Sequence, residues 1–383
     1  MDARYAGPQV SGIGNYVRGI ASRLPHLSRD ARFRYWTRPG TRRLSAAPNA
    51  SEATVRPRPA GLATLFWPSL LDELRPDDVF HAPANILGYG LPCRAIVTVH
   101  DVMWLDHLEW CQPRPWLRPL SKRYYTAGIL RALRHAERIL TVSQASADAI
   151  VRIERSAHSR IVVTPNGHEA HFRPPLSREE ARADAARRLG FDAPFFLVVG
   201  QNQPSKGHAI AVQAFAEAAL PHHRLVLVQR LERGRGLDRL VRDLGIGDRV
   251  AFASQLPLEG LVALVQSATA LVQPSLAEGF GLPVLEAMAS GCPVIASDIP
   301  PLREVLGGAG CLVPAGSTNA LRQAFSDLAK DPARLAEQRE RGLLRARNFS
   351  WDRSAALTLE VYRDVAAGGH RRAPTRADDV HAA

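Results

Sequence analysis

The chain has 383 residues, of which 46% are hydrophobic and 22% charged. That balance excludes wholesale disorder, collagen-like repeats and a membrane bundle, and at roughly 150 residues per domain it suits about two globular domains. The formal net charge is +12, carried almost wholly by arginine, since the lysines are Lys122, Lys206 and Lys330 alone.

No run of 18 apolar residues occurs, and the opening MDARYAGPQ lacks the apolar core of a secretion signal, so a cytoplasmic protein is expected. Cys93, Cys111, Cys292 and Cys311 stand apart with no CxxC spacing and no nearby histidine set; they read as buried thiols of a reducing compartment, and no metal site is expected. Residues 1–173 hold 24 Lys and Arg against 14 Asp and Glu, a net of +10, whereas residues 174–383 net only +2. A basic half of this kind suits an anionic membrane surface or a phosphate-bearing lipid acceptor. Nucleic acid is not expected, because zinc-finger spacing, RNP-like aromatics and basic heptads are all missing.

In chain order, 95-AIVTVH-100 predicts a strand and the stretch around 116–136 a helix. That helical stretch interleaves Trp116, Leu117, Tyr124 and Tyr125 with Arg114, Arg118, Lys122 and Arg123, which fits either a helix burying its aromatic side or a membrane interface. Next come a strand at 138-RILTVS-143 and a helix near 144–155. Further strands are expected at 195-FFLVVG-200, 225-LVLVQ-229, 249-RVAFA-253, 270-ALVQP-274 and 293-PVIAS-297, each followed by a helix. Strands alternating with helices predict parallel sheets covered by helices. The Pro-rich stretch from 173 to 194 places a boundary near residue 173, with the last helix around 353–365 and a disordered tail over 367–383.

Ligands of open α/β sheets lie beyond the carboxyl ends of the strands, so the residues just after each strand are the ones to inspect. Four strand ends stand out: His100-Asp101, Thr164 to Gly167, Gly200 to Gly207, and Pro274 to Glu286. In 274-PSLAEGFGLPVLEAMASGCPVIASD-298, Glu278, Gly279, Phe280 and Gly281 form a turn, and Pro283 suits the first turn of a helix that carries Glu286. Two carboxylates flanking a helix N-terminus suit a sugar diphosphate: backbone N–H groups for phosphate, acidic side chains for sugar hydroxyls. Lys206, after the Gly200 strand end, is either a surface lysine or well placed to stabilise a departing diphosphate. His100 is either a satisfied structural residue or a site residue, with Asp101 beside it to orient the imidazole or an acceptor.

The pair Glu278 and Glu286, within EGFGLPVLEAMASGCPVIASD, resembles the E-x7-E donor-site signature of retaining glycosyltransferases of family 4. Further blocks match in order: 11-SGIGNYVRGI-20, 97-VTVHD-101, 141-TVSQASADAI-150, 162-VVTPNG-167, 198-VVG-200 with Lys206, and 349-FSW-351. The resemblance covers roughly residues 1–365. It implies a GT-B fold, two Rossmann-like parallel-sheet domains facing a central cleft, with an acceptor domain over 1–173, a nucleotide-sugar domain over 174–350 and a C-terminal helix over 351–366 returning to the first. By position, it implies that Glu286 binds the ribose, that Glu278 meets the transferred sugar, and that Phe280, Gly281 and Leu282 offer backbone contacts, with Gly279 and Gly200 lining the donor site. Lys206 would neutralise the diphosphate, His100 would face the donor sugar, and Gly12 and Gly14 would form a glycine loop near the donor phosphates. The implied chemistry is hexosyl transfer with retention, with the nucleoside diphosphate sugar as co-substrate and no metal or other cofactor. A glycan or lipid-linked acceptor is implied, with GDP-mannose the first donor to consider, in surface polysaccharide assembly.

Two departures stand against that pattern. Relatives carry an arginine near the lysine, whereas Gln201 and Ser205 occupy those places here, and the D-A-R segment begins at Met1 with no strand ahead of it, which suggests a late-called start or a truncation. Both leave room for a degenerate scaffold or glycan-binding subunit. A UDP-sugar 2-epimerase shares the fold but fits the E-x7-E blocks less well.

Overall fold

The computed structural model describes residues 1–7, 11–59, 61, 63–66, 73–229, 236–254 and 256–368. Of the tail expected to be disordered, residues 369–383 lie outside the described residues. The chain divides into two compact units, one of Met1–Asn166 with the C-terminal segment from Trp351, the other of Gly167–Ser350. The division therefore falls at Asn166, at the end of the TPN turn, rather than at the prolines that follow Arg173.

In the first unit, β1 (Phe33–Thr37) and β2 (Ala50–Thr54) form a parallel pair, while β3 (Val79–Ala82), β4 (Arg94–Val99), β5 (Arg138–Thr141) and β6 (Ile161–Val163) form a parallel sheet in that order. Where no leading strand was expected, Met1–Ala3 run between the two sheets. Asp2 N donates to the His81 carbonyl of β3 at 3.0 Å, and Ala3 N donates to the Trp36 carbonyl of β1 at 2.8 Å. Arg4 then folds back onto Asp2 in a bidentate pair, with Nε–Oδ1 at 2.8 Å and Nη2–Oδ2 at 2.7 Å, both side chains buried. The helix Trp351–Ala366 packs on this unit: a Cβ on Gly19 would collide with the Trp351 indole, so glycine is what lets helix Gly12–Ala21 approach it.

The second unit holds one six-stranded parallel sheet, ordered β12 (Cys311–Val313), β11 (Val294–Ser297), β10 (Ala270–Gln273), β7 (Phe195–Val199), β8 (Arg224–Gln229) and β9 (Val250–Ser254). The central strands β7, β10 and β11 are buried almost throughout, as their continuous apolar runs require when helices cover both faces. Phe196 meets Phe325 edge-on at 4.6 Å between ring centres, and Phe215 meets Phe325 edge-on at 5.8 Å. Each such fully buried ring is worth about 1.5–3 kcal/mol of transfer free energy. Helices return each strand in parallel, so all six carboxyl ends gather at one edge of the sheet. The long, apolar expected strands are found within a residue or two of their predicted bounds; β1, β2, β3 and β12 were not foreseen.

Candidate functional site

In the second unit, β7 gives way to Gly200 at φ +148°, and a short turn, Pro204–Lys206, ends at Gly207 with φ +65°. Any Cβ on Gly207 would strike the Pro274 carbonyl, so glycine here lets the loop after β7 lie directly on the loop after β10. Leu276 N donates to the Ser205 carbonyl at 2.7 Å and stitches the two loops together. The result brings Lys206 to Glu278, with Nζ to Oε1 at 2.7 Å. That same oxygen accepts from Gln273 Nε2 and Ser275 Oγ, each at 2.8 Å. Oε1 is thus saturated by three donors, while Oε2 has no partner among the described residues and is left to accept.

Glu286 lies eight residues on, one turn into the helix Leu282–Ala289, which Gly281 introduces at φ +105°. A Cβ on Gly281 would stand 2.5 Å from Leu302, so only glycine closes this corner. Phe280 is buried against Phe349 at 5.7 Å edge-on, and so offers its backbone to the site while its ring anchors the turn. Glu286 is half-buried, and burial, with the nearby Glu169 carboxylate adding to it, pushes its carboxyl up to about 8. The E-x7-E pair therefore comprises two unlike groups: one carboxylate held in an ion pair, one carboxyl that keeps its proton near neutral pH.

In the first unit, β4 ends at Val99 and His100 follows. Its backbone N–H donates to Asn85 Oδ1 at 2.8 Å, its carbonyl accepts from Ser146 Oγ at 3.0 Å, and its Nε2 donates to the Pro83 carbonyl at 2.8 Å. Burial lowers the imidazole to about 4, so the ring is neutral, with Nε2 protonated and Nδ1 the acceptor. Tyr16 stands edge-on to it at 4.9 Å. Asp101 Oδ1 accepts from Met103 N at 3.0 Å, turning the chain after the strand. Gly12 and Gly14 were expected in a loop. They are instead the first and third residues of the helix Gly12–Ala21, because Ser11 Oγ accepts from Gly14 N at 2.9 Å and winds the segment into a capped first turn. The glycine at 14 is needed for packing: a Cβ there would lie 2.8 Å from the Tyr5 carbonyl oxygen.

The family model described as "Glycosyl transferases group 1" matches residues 180–345, and the one described as "Glycosyltransferase Family 4" matches residues 10–171. A relative named MMP alpha-(1->4)-mannosyltransferase, from Mycolicibacterium hassiacum, is 34% identical over 292 residues, covering 74% of this chain and 68% of its own. The chain belongs to the group 1 glycosyltransferases. A second relative, the O-antigen chain mannosyltransferase B of Escherichia coli, is 29% identical and spans 75% of this glycosyltransferase and 74% of its own length. Among solved structures, a sucrose-phosphate synthase from Thermosynechococcus elongatus superposes with a TM-score of 0.74 at 24% identity, covering 96% of this chain and 98% of its own. The fold of the glycosyltransferase is accordingly GT-B, built from two Rossmann-like parallel-sheet units.

Within the second unit of the glycosyltransferase, Gly200, Lys206 and Glu278 to Glu286 gather at one sheet edge, as the strand-end rule requires. His100, Asp101, Gly12 and Gly14 belong to the first unit. Three site-supporting residues escaped the sequence reading: Gln273 and Ser275, which hold Glu278, and Asn85, which holds the His100 turn. Gln273 left a trace, as a polar residue closing an otherwise apolar strand. Asn85 left none, since its partners lie 15 residues away in sequence.

Proposed function

We propose that this glycosyltransferase moves a hexose from a nucleoside diphosphate sugar to a glycan or lipid-linked acceptor, with retention of configuration and without a metal. The observation that carries the reading is the Lys206–Glu278 pair at the carboxyl ends of β7 and β10, followed eight residues on by the carboxyl of Glu286, which burial keeps protonated near neutral pH. Lys206 supplies a positive charge where the diphosphate leaves, and a pre-placed charge of this kind stabilises the developing anion without reorganisation. As the sugar–oxygen bond breaks, the diphosphate oxygen takes the proton of the acceptor hydroxyl while that hydroxyl bonds to the anomeric carbon on the same face. The free Oε2 of Glu278 suits a hydroxyl of the transferred sugar, and Glu286 suits the ribose. Mannose is the first sugar to test, because the Mycolicibacterium and Escherichia relatives are both named as mannosyltransferases.

Calorimetric binding of GDP-, UDP-, ADP- and dTDP-sugars, beside a Glu286→Ala variant, tests the reading. One base is expected to bind selectively and to lose its affinity in the variant. If no donor binds, the scaffold alternative takes over. GDP-mannose as donor fails if another nucleotide is selected.

An anionic membrane surface is the partner we propose for the first unit. Trp116 is 73% exposed and Leu120 60% exposed, and Arg114, Lys122 and Arg123 are exposed around them. Amphipathic residues ringed by cations suit a headgroup layer. Vesicles containing anionic lipid are expected to retain the protein at low salt and release it as salt rises. Retention that ignores salt, or none, removes the idea. No described helix is long and apolar enough to cross a membrane.

A further inference from the structure

His208 opens the helix His208–Glu217, immediately after Gly207, and is 2% exposed. Its Nδ1 accepts a hydrogen bond from the Gln229 amide at 3.0 Å, which puts the proton of the neutral ring on Nε2. Among the described residues, Nε2–H has no acceptor. A buried structural histidine is expected to use both nitrogens, as His81 does: its Nδ1 pairs with Tyr362 and its Nε2 with Thr98, each at 2.7 Å. The unused N–H of His208 is therefore a donor held in reserve.

It points into a prepared space. The position where a Cβ of Gly200 would stand is 3.7 Å from His208 Nε2, and Gly200, at φ +148°, leaves that position open. At the helix start Ile210 N and Ala211 N are taken by the Gly207 carbonyl, whereas the backbone N–H groups of His208 and Ala209 have no acceptor among the described residues, and Lys206 lies two residues upstream. Burial first, and the Lys206 ammonium second, hold the imidazole down at about 4, against a smaller opposing pull from Glu278. The ring is therefore neutral at pH 6–8 and donates without a buried charge to compensate.

We propose that His208 is a phosphate-binding residue of the donor site, its Nε2–H donating to an oxygen of the nucleoside diphosphate lodged over Gly200 beside Lys206. The proposal rests on the donor-site reading above and adds to it a residue that the E-x7-E resemblance does not assign. It also accounts for the absence of arginine at Gln201 and Ser205. Ser205 is buried, whereas Gln201 is exposed. A neutral N–H donor on the next helix supplies a contact in place of the arginine.

The test compares UDP and GDP with uridine and guanosine on the full-length protein, in wild type, His208→Phe and His208→Gln, by calorimetry with competition for the weaker nucleosides. His208→Phe keeps an aromatic ring at the position and removes both ring nitrogens, the Nε2 donor and the Nδ1 acceptor of Gln229; it is expected to weaken the favoured diphosphate about ten-fold, equivalent to about 1.4 kcal/mol, and to leave the matching nucleoside unchanged. His208→Gln, which places an amide N–H near the same point, is expected to recover most of the loss. In 15N-histidine spectra of the wild type, the His208 Nε2 proton should move downfield with the diphosphate and stay in place with the nucleoside. The spectra keep the proposal testable even if His208→Phe folds poorly. Equal weakening of diphosphate and nucleoside, an unchanged diphosphate affinity in His208→Phe, or an unmoved Nε2 proton overturns it. If wild type binds a diphosphate and Glu286→Ala does not, a silent His208→Phe sinks this proposal alone; if wild type binds none, the donor-site reading fails and takes the proposal with it.

Discussion

At the end of β4, in the first unit, the His100 turn is tied to its own chain on every side. Asn85, Pro83 and Ser146 take its backbone and one ring nitrogen, and Asn85 does so from a left-handed conformation at φ +60°. The ends of β7 and β10, in the second unit, are built differently. Glycine at 200, 207 and 281 brings loops into contact, and the polar groups so gathered, an ion pair among them, are partly unspent: the second oxygen of Glu278, the N–H of the neutral His208 and the protonated carboxyl of Glu286. The first region invests in shape and keeps little to offer a ligand beyond Nδ1 of His100. The second invests in an ion pair and polar groups that a ligand can engage. Substitutions in the first region should therefore cost stability, and those in the second should cost activity.

The largest expected effect belongs to the second region. Lys206→Ala removes the cation and leaves Glu278 with two neutral donors. We expect kcat/KM for hexosyl transfer to fall on the order of 100-fold or more, about 3 kcal/mol, with little change in the melting temperature. Steady-state kinetics beside thermal unfolding checks this. A large fall in melting temperature with a modest fall in rate would reverse the comparison and make the ion pair a structural clamp.

Asn85 is the corresponding probe of the first region. Asn85→Ala loses the bonds to His100 N at 2.8 Å and to the Asp101 carbonyl at 3.3 Å, and forces alanine into the left-handed region. Two hydrogen bonds at about 1 kcal/mol each and about 1 kcal/mol of backbone strain predict a loss of about 3 kcal/mol. Asn85→Gly relieves the strain, so its loss should be about 1 kcal/mol smaller. Urea unfolding of both variants separates the terms; equal losses would show that the backbone conformation costs nothing here.

How much of this was legible follows the same division. Strands such as Phe195–Val199 and Ala270–Gln273 announce themselves as buried apolar runs, because helices cover both faces of their sheet. The strand Ala50–Thr54 is largely exposed and polar, and only its pairing with Phe33–Thr37 makes it a strand, so no local pattern marks it. Lys206, Glu278 and Glu286 stand out in the sequence because strand ends of α/β sheets are where ligands bind and because their spacing matches a known family. The convergence of three donors on one oxygen of Glu278 was hidden: Gln273 and Ser275 lie only five and three residues away, but how their side chains turn follows from the loop's conformation, and Lys206 arrives from 72 residues away through a loop contact that Gly207 permits. Gly12 and Gly14 were misread for the opposite reason: glycine suggests a loop, and the Ser11 cap with tight packing on Tyr5 overrode that suggestion.

The smallest effect concerns Glu286, where both halves of the comparison meet in one side chain. Its carboxyl holds a proton up to about pH 8 in the folded chain, whereas the unfolded chain releases it near the ordinary value of 4.5. Between those values the native state binds the extra proton, so stability falls as pH rises through the interval. Glu286→Gln has nothing to ionise and escapes the penalty. The full shift would amount to about 4–5 kcal/mol, but a half-buried group retains contact with water, and we expect the variant to gain about 1–2 kcal/mol at pH 8.5 and almost nothing at pH 5. Urea unfolding at both values measures it. A gain of the same size at both pH values would assign the effect to packing, and no gain at pH 8.5 would mean that Glu286 ionises freely, leaving Glu278 and Glu286 alike in charge and the site without a carboxyl that keeps its proton.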